Sequence, residues 1–183
     1  MIQLWRGFGD LVPLFFLVVL IAGITAFILG RKKKMGFKYV VLNTLFVLSV
    51  FGILLVTMLP QYGIRPRVIN IVPFAGMYNL IIHSVDISVP IRNLGLNALL
   101  FVPFGLFLSM KKSYLQSKTI FKIVVVSGLL LSVSIESIQY TLPLGRSADI
   151  DDVILNTIGA LLGFISWKVL QPSSSLAIDK RAT

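Results

Sequence analysis

Long apolar runs separated by short polar stretches set the pattern of this chain. Leu11 to Gly30 contains no ionisable residue, and Tyr39 to Leu59 carries no charge. Ile91 to Met110 has Arg92 at its mouth, Ile123 to Tyr140 carries Glu136, and Val153 to Leu170 carries Lys168 near its end. Apolar runs of about 18 or more residues with almost no charge are candidate membrane spans. In hydrocarbon every backbone N–H and C=O needs an internal partner, so the runs predict helices rather than strands. The expectation is an all-α, polytopic membrane helical bundle of about five transmembrane helices, near 11–30, 39–59, 91–110, 123–140 and 153–170. The connections are too short to fold separately, which makes 1–171 a single transmembrane domain and 172–183 a disordered cytoplasmic tail.

Composition agrees with this class. Of 183 residues, 56% are hydrophobic and 13% charged, and the mean hydropathy is +0.92. A soluble domain is about a quarter charged. There is no cysteine, which removes disulfides and thiol chemistry.

Charge supplies an orientation. Arg31, Lys32, Lys33, Lys34 and Lys38 crowd the first connection, and Lys111, Lys112, Lys118 and Lys122 the third. The second holds Arg65, Arg67 and Asp86, and the fourth holds Arg146 against three aspartates. Basic loops stay cytoplasmic, so the first and third connections lie inside and the second and fourth outside. The amino terminus is then outside and the carboxyl terminus cytoplasmic. The net charge of +10 becomes a topological signal and a hold on anionic headgroups, with no nucleic-acid partner implied. The first span has no A-x-A-like cleavage site and is followed, not preceded, by a basic block, as in a retained anchor.

Small residues four apart predict where helices touch. Ala22, Ala26 and Gly30 repeat on the first span, Gly128 and Ser132 on the fourth, and Gly159 and Gly163 on the fifth. Such spacing lets backbones approach where lipid offers no hydrophobic drive. Pro103 with Gly105 marks a kink in the third span.

Against this apolar background one stretch stands out. "SIESIQYTLPLGRSADIDDVILNTIGALLG", residues 134–163, places Glu136, Arg146, Asp149, Asp151 and Asp152 between two apolar runs. With the orientation above, Glu136 lies about one turn below the outer end of the fourth span, and Asn156 about one turn inside the fifth. Asn93 and Asn97 occupy the outer half of the third span, on one helical face. If the fifth helix begins near Ala148, Ser147 is its N-cap, and Asp149, Asp152 and Asn156 share a face. Glu136 and Gln139 share a face of the preceding helix, across a short connection containing Pro143 and Gly145. Arg146 stands at the rim, able to pair with a carboxylate or to grip a phosphate bidentately. Taken singly, these residues have ordinary readings: Asp149 or Asp152 as capping acids, Arg146 as a headgroup anchor, Asn97 as interhelical glue. Glu136 is different, because an ionisable group inside a span defaults to a functional hypothesis, with a structural pair to Arg146 as its alternative. His83 has no partner at metal-ligand spacing and reads as solvated surface.

The string Glu136-x-x-Gln139 … Arg146-x-x-Asp149-x-x-Asp152-x-x-x-Asn156-x-x-Gly159-x-x-x-Gly163 resembles the signature of the VanZ-like family of bacterial membrane proteins. "NIVPF" at Asn70 to Phe74 and "NALLFVPFG" at Asn97 to Gly105 agree in order, so the resemblance covers about half the chain, Asn70 to Gly163. It implies low-level resistance to teicoplanin, a lipid-tailed glycopeptide, by a mechanism that does not remodel the peptidoglycan terminus. The segment Asn70 to His83, between the second and third spans, is apolar enough to be an interfacial or re-entrant piece roofing an outer polar pocket.

Two readings of function follow. In the first, the pocket binds a membrane lipid, a lipid-linked cell-wall precursor or a lipoglycopeptide, with Arg146, Gln139, Asn156, Asn97 and Asn70 as ligand contacts. In the second, an intramembrane enzyme acts on a lipid phosphate or another envelope amphiphile, with Glu136, Asp149 and Asp152 as catalytic residues. Glu136 would then be the general acid or base, and Asp149 and Asp152 would hold a divalent cation such as Mg²⁺. A small transporter is the weaker third reading, because paired broken helices and a midplane site are missing from the pattern. The small-residue faces suit packing within one chain and between copies equally well, so no oligomeric state is assigned.

Overall fold

In a computed structural model that describes residues 36–58, 68–142 and 147–171, together with Gly23, the three described stretches form five helices and two short strands. These are α1 (Phe37–Thr57), β1 (Ile69–Asn70), α2 (Ala75–His83), α3 (Ser88–Lys111), α4 (Ser117–Thr141), β2 (Ala148–Asp149) and α5 (Ile150–Leu170). The expected first span, Arg65, Arg67, Arg146 and the tail from Pro172 lie outside the described residues (Gly23 excepted). Among the described residues, four helices, α1, α3, α4 and α5, are long and apolar enough to cross a membrane. The all-α membrane bundle expected from the hydrophobic runs is thus the observed fold.

Each helix starts before its apolar run: at Phe37 rather than Tyr39, Ser88 rather than Ile91, Ser117 rather than Ile123, and Ile150 rather than Val153. The added residues include Lys38, Ser88, Ser117, Lys118, Lys122, Asp151 and Asp152, polar groups that flank the apolar runs. Asp86 supports the start of α3, accepting from Ser88 N at 2.9 Å and from Ser88 Oγ at 2.7 Å. Pro103 lies inside α3, which continues through it as one helix.

Packing divides the chain after Gly52. In the first unit, the described part of α1 satisfies its hydroxyls locally. Thr44 Oγ1 donates to Val40 O at 2.9 Å and Ser49 Oγ to Phe46 O at 2.7 Å, so neither presents an unbonded hydroxyl to lipid.

The second unit, from Ile53 onward, is organised by α5, which packs most extensively on α3 and next on α4. The reason is the small residues. A Cβ on Gly159 would stand 2.0 Å from Ala98 O, one on Gly163 2.2 Å from Val102 O, and one on Gly105 2.0 Å from Ala160 O. Backbone therefore meets backbone along this seam. Gly105 was expected to belong to a kink; its absent side chain instead admits Ala160. Across the other seam, Gly128 faces the Ala160 methyl, where an added Cβ would be 2.8 Å away. Toward the far end, Phe164 packs on Phe121 and on Trp167, with ring centroids 5.7 Å apart in both pairs.

The interior is small: Phe101, Ile120, Val124, Ile135 and Ala160 are fully enclosed. Leu99, Val126, Leu130, Ile165 and Val169 point outward. So much outward apolar surface suits a chain solvated by acyl chains rather than by water. Among the described residues from Ile53 onward, acids and lysines occupy opposite ends of the helices. Asp86, Glu136, Asp149, Asp151 and Asp152 lie at the α3 start, α4 end and α5 start, where Arg92 is a basic exception; Lys111, Lys112, Lys118, Lys122 and Lys168 lie at the opposite ends.

Two details differ from expectation. α5 begins at Ile150, not near Ala148, and its N-cap is Asp149, not Ser147. Asp149 is extended (φ −131°, ψ 124°) because β2 pairs in parallel with β1, matching Ile69 to Ala148 and Asn70 to Asp149. Ala148 N donates to Val68 O at 3.1 Å, continuing that pairing.

The glycine seam generates a test. Gly159→Ala forces Ala98 and Phe101 aside and is expected to cost about 1–3 kcal/mol, as overpacking does. Gly95→Ala, on α3 with open space around it, is expected to leave stability unchanged or slightly raised. Thermal unfolding of the two variants in detergent, followed by helical circular dichroism, checks the contrast.

Candidate functional site

The site forms where the α1–α2 connection meets the α4–α5 connection, and a chain of hydrogen bonds builds it. Glu136, 7% exposed and one turn before the end of α4, accepts at Oε2 from Asp149 N at 2.9 Å. Asp149 Oδ1 in turn accepts from Asp151 N at 2.9 Å and from Asn70 Nδ2 at 3.1 Å. The first bond is the N-cap of α5; the second ties that cap to β1. Asn70 closes its own turn by accepting from Val72 N at 3.3 Å.

Asp151 is the most enclosed acid of the set, at 3% exposed. Its Oδ1 accepts from Phe74 N and its Oδ2 from Met77 N at 2.8 Å, so one carboxylate caps the amino end of α2 from a different helix. Phe74 sits there in the left-handed region, with φ 66°. Gly76 follows because the carboxylates press against it: an added Cβ would stand 2.7 Å from Asp149 Oδ2 and 3.0 Å from Asp151 Oδ2. Three acids in one place repel each other. Here the amino ends of α2 and α5 supply the compensating positive dipoles and N–H donors.

The remaining polar side chains join helices. Asn97 Nδ2 donates to Asp152 Oδ1, linking α3 to α5. Asn156 Nδ2 donates to Ser132 Oγ at 2.8 Å inside the α4–α5 seam. Gln139 Nε2 donates to Thr57 O at 2.8 Å, satisfying one carbonyl that the end of α1 leaves without a helical partner. Asn156 and Gln139 are 4% exposed each, so their contacts are with the protein.

Of the residues singled out from sequence, Glu136, Asp149 and Asn70 come together directly, and Asp152 with Asn97 forms a neighbouring pair. Asp149 precedes α5 as its cap, so the expected shared face reduces to Asp152 and Asn156, which bond to Asn97 and to Ser132 respectively. Asn93 is exposed, and Arg146 lies outside the described residues. His83 is exposed at the end of α2, with Nδ1 3.0 Å from Asn79 O. Among the described residues no three His, Cys, Asp or Glu side chains are grouped to hold a metal ion. Asp151 and Gly76 are the residues that sequence reasoning did not select. Adjacent aspartates look alike in a string, and only the tertiary position of α2 distinguishes Asp151.

Removing the Asp151 carboxylate should expose its structural weight. Asp151→Ala leaves Phe74 N and Met77 N without their acceptor, at a cost of about 1–3 kcal/mol for a buried donor left unmade. Asp151→Asn keeps one carbonyl oxygen and is expected to lose less. Denaturant unfolding in mixed micelles measures both.

The comparisons with known proteins fit this arrangement. Residues 44–171 match the VanZ/LLP1 family, a stretch containing every described member of the site. Protein VanZ of Enterococcus faecium is 30% identical over 135 residues, which cover 74% of this chain and 73% of that protein. No solved structure matches the chain. Four helices of membrane-crossing length, the ordered motifs and the matched span together place the chain in the VanZ/LLP1 family of membrane proteins.

Proposed function

We propose that this protein contributes to resistance to teicoplanin-type lipoglycopeptides by binding lipid or drug at the outer leaflet through the acidic end of its bundle. The observation that carries this reading is the hydrogen-bonded chain Glu136–Asp149–Asp151, with Asn70, gathered at one level where α4 ends and α5 begins. Family membership supplies the link to the antibiotic.

The lysine-rich α3–α4 connection is cytoplasmic, because basic loops resist translocation. The acidic end then faces the cell exterior, where lipid-anchored wall precursors and lipid-tailed drugs are found. Arg146, four residues before the α5 start, grips an anionic headgroup. Asn97 with Asp152, and Asn70 with Asp149, present polar edges at the same end of the bundle. Gln139 and Asn156 serve the site by holding the helices that carry it.

Three outcomes are expected. Labelled lipoglycopeptide associates less with expressing cells than with cells lacking the protein, and Arg146→Ala restores association; unchanged labelling removes the reading. Glu136→Gln, which can still accept from Asp149 N, keeps resistance if the site binds and loses it if Glu136 transfers protons. For orientation, the cysteine-free chain permits single-cysteine variants. Ser147→Cys should react in intact cells with a membrane-impermeant maleimide, and Ser113→Cys should react only after lysis.

A further inference from the structure

Helix α2 has three unlike sides. Gly76, Met77 and Leu80 turn toward the rest of the unit, where α2 contacts α3 and α5. Phe74, just before the helix, together with Tyr78, Ile81 and Ile82, forms a continuous exposed apolar side. Asn79 and His83, four apart and therefore stacked on one flank, form an exposed polar side. The apolar surface extends before the helix through Ile71 and Val72.

The position of α2 gives this surface a partner. Asp151 in the first turn of α5 holds Phe74 N and Met77 N, so α2 is fixed level with the end of a membrane-length helix. Nine residues span only about 13 Å, too short to cross a bilayer. At that depth hydrocarbon gives way to headgroups. A helix lying in this plane needs one side for the protein, one for acyl chains and one for water. A second copy or another protein pressed onto α2 would not call for the division between the apolar side and the Asn79–His83 flank.

We infer that α2 is a membrane-surface helix whose Phe74–Tyr78–Ile81–Ile82 side docks on bilayer lipid, and that Asp151 is the positioning residue that fixes which side faces the lipid. The carboxylate accepts at its two oxygens from two amides three residues apart, so it pins the start of the helix at two points rather than one. This inference stands apart from the resistance reading, because its measurement requires no drug.

The absence of cysteine makes the experiment direct. Nitroxide labels are placed one at a time at Tyr78→Cys, Ile82→Cys, Asn79→Cys and His83→Cys. The full chain is reconstituted in vesicles of phosphatidylglycerol and phosphatidylethanolamine. Relaxation by oxygen, which partitions into lipid, is compared with relaxation by a water-soluble nickel chelate. Labels at 78 and 82 are expected to be oxygen-dominated and those at 79 and 83 chelate-dominated, a reversal within one helical turn. Equal chelate access at all four positions overturns the inference, as does shielding of 78 and 82 from both reagents, which would mark a protein partner. In an Asp151→Ala background the reversal should collapse, while a label at Ile158→Cys on the exposed side of α5 keeps its lipid reading. If the reversal persists there, Asp151 does not position α2.

Discussion

Two helices of this bundle touch backbone to backbone, and the rest of the acidic end depends on that approach. In lipid, apolar surface gains nothing by leaving acyl chains for a neighbouring helix, so close contact and polar bonding must hold helices together. Gly105, Gly159 and Gly163 supply the contact, since each carries a hydrogen where a methyl would collide with the facing main chain. With α3 and α5 that near, the short Asn97 amide reaches the Asp152 carboxylate, and Asn156 meets Ser132 across the other seam. Wider spacing would strand these groups in hydrocarbon without partners, at several kcal/mol each.

Charge follows from the same constraint. The acids are grouped, yet each carboxylate in the chain from Glu136 to Asp151 receives backbone or amide N–H donors. Helix starts concentrate unsatisfied N–H groups, and this fold brings two of them, those of α2 and α5, to one place. The result is an acidic cluster that organises connections as well as presenting polarity. A two-residue parallel ladder between β1 and β2, placed outside the spans, adds the one sheet-like element among the described residues.

Much of this was legible in the sequence, for reasons that particular residues make plain. Uninterrupted apolar length identified α1, α3, α4 and α5, because hydrocarbon thickness imposes a minimum run. Spacing by four identified Gly159 and Gly163 as contact points, since helical geometry puts them on one stripe. Glu136 was conspicuous because charge within a span is costly. The parallel pairing of Asn70 with Asp149 was not legible, for it joins residues far apart in the chain and leaves no periodic trace. The same holds for the start of α5: Ser147 is as good a cap as Asp149 by residue type, and the ladder decides between them. Asp151, noticed as a charge, was given no role of its own, because that role comes from the amides of Phe74 and Met77, which carry no side-chain signal at all.

Phe74 makes a last consequence concrete. A phenylalanine held at φ 66° carries a torsional cost of about 1–2 kcal/mol that glycine would not bear. The same residue gives its N–H to Asp151, so the bond that fastens the turn also holds it wound. Fastening and tension therefore reside in one peptide unit. Should the carboxylate let go, the chain there would unwind toward its ordinary dihedrals instead of waiting in place, giving the junction the behaviour of a sprung catch.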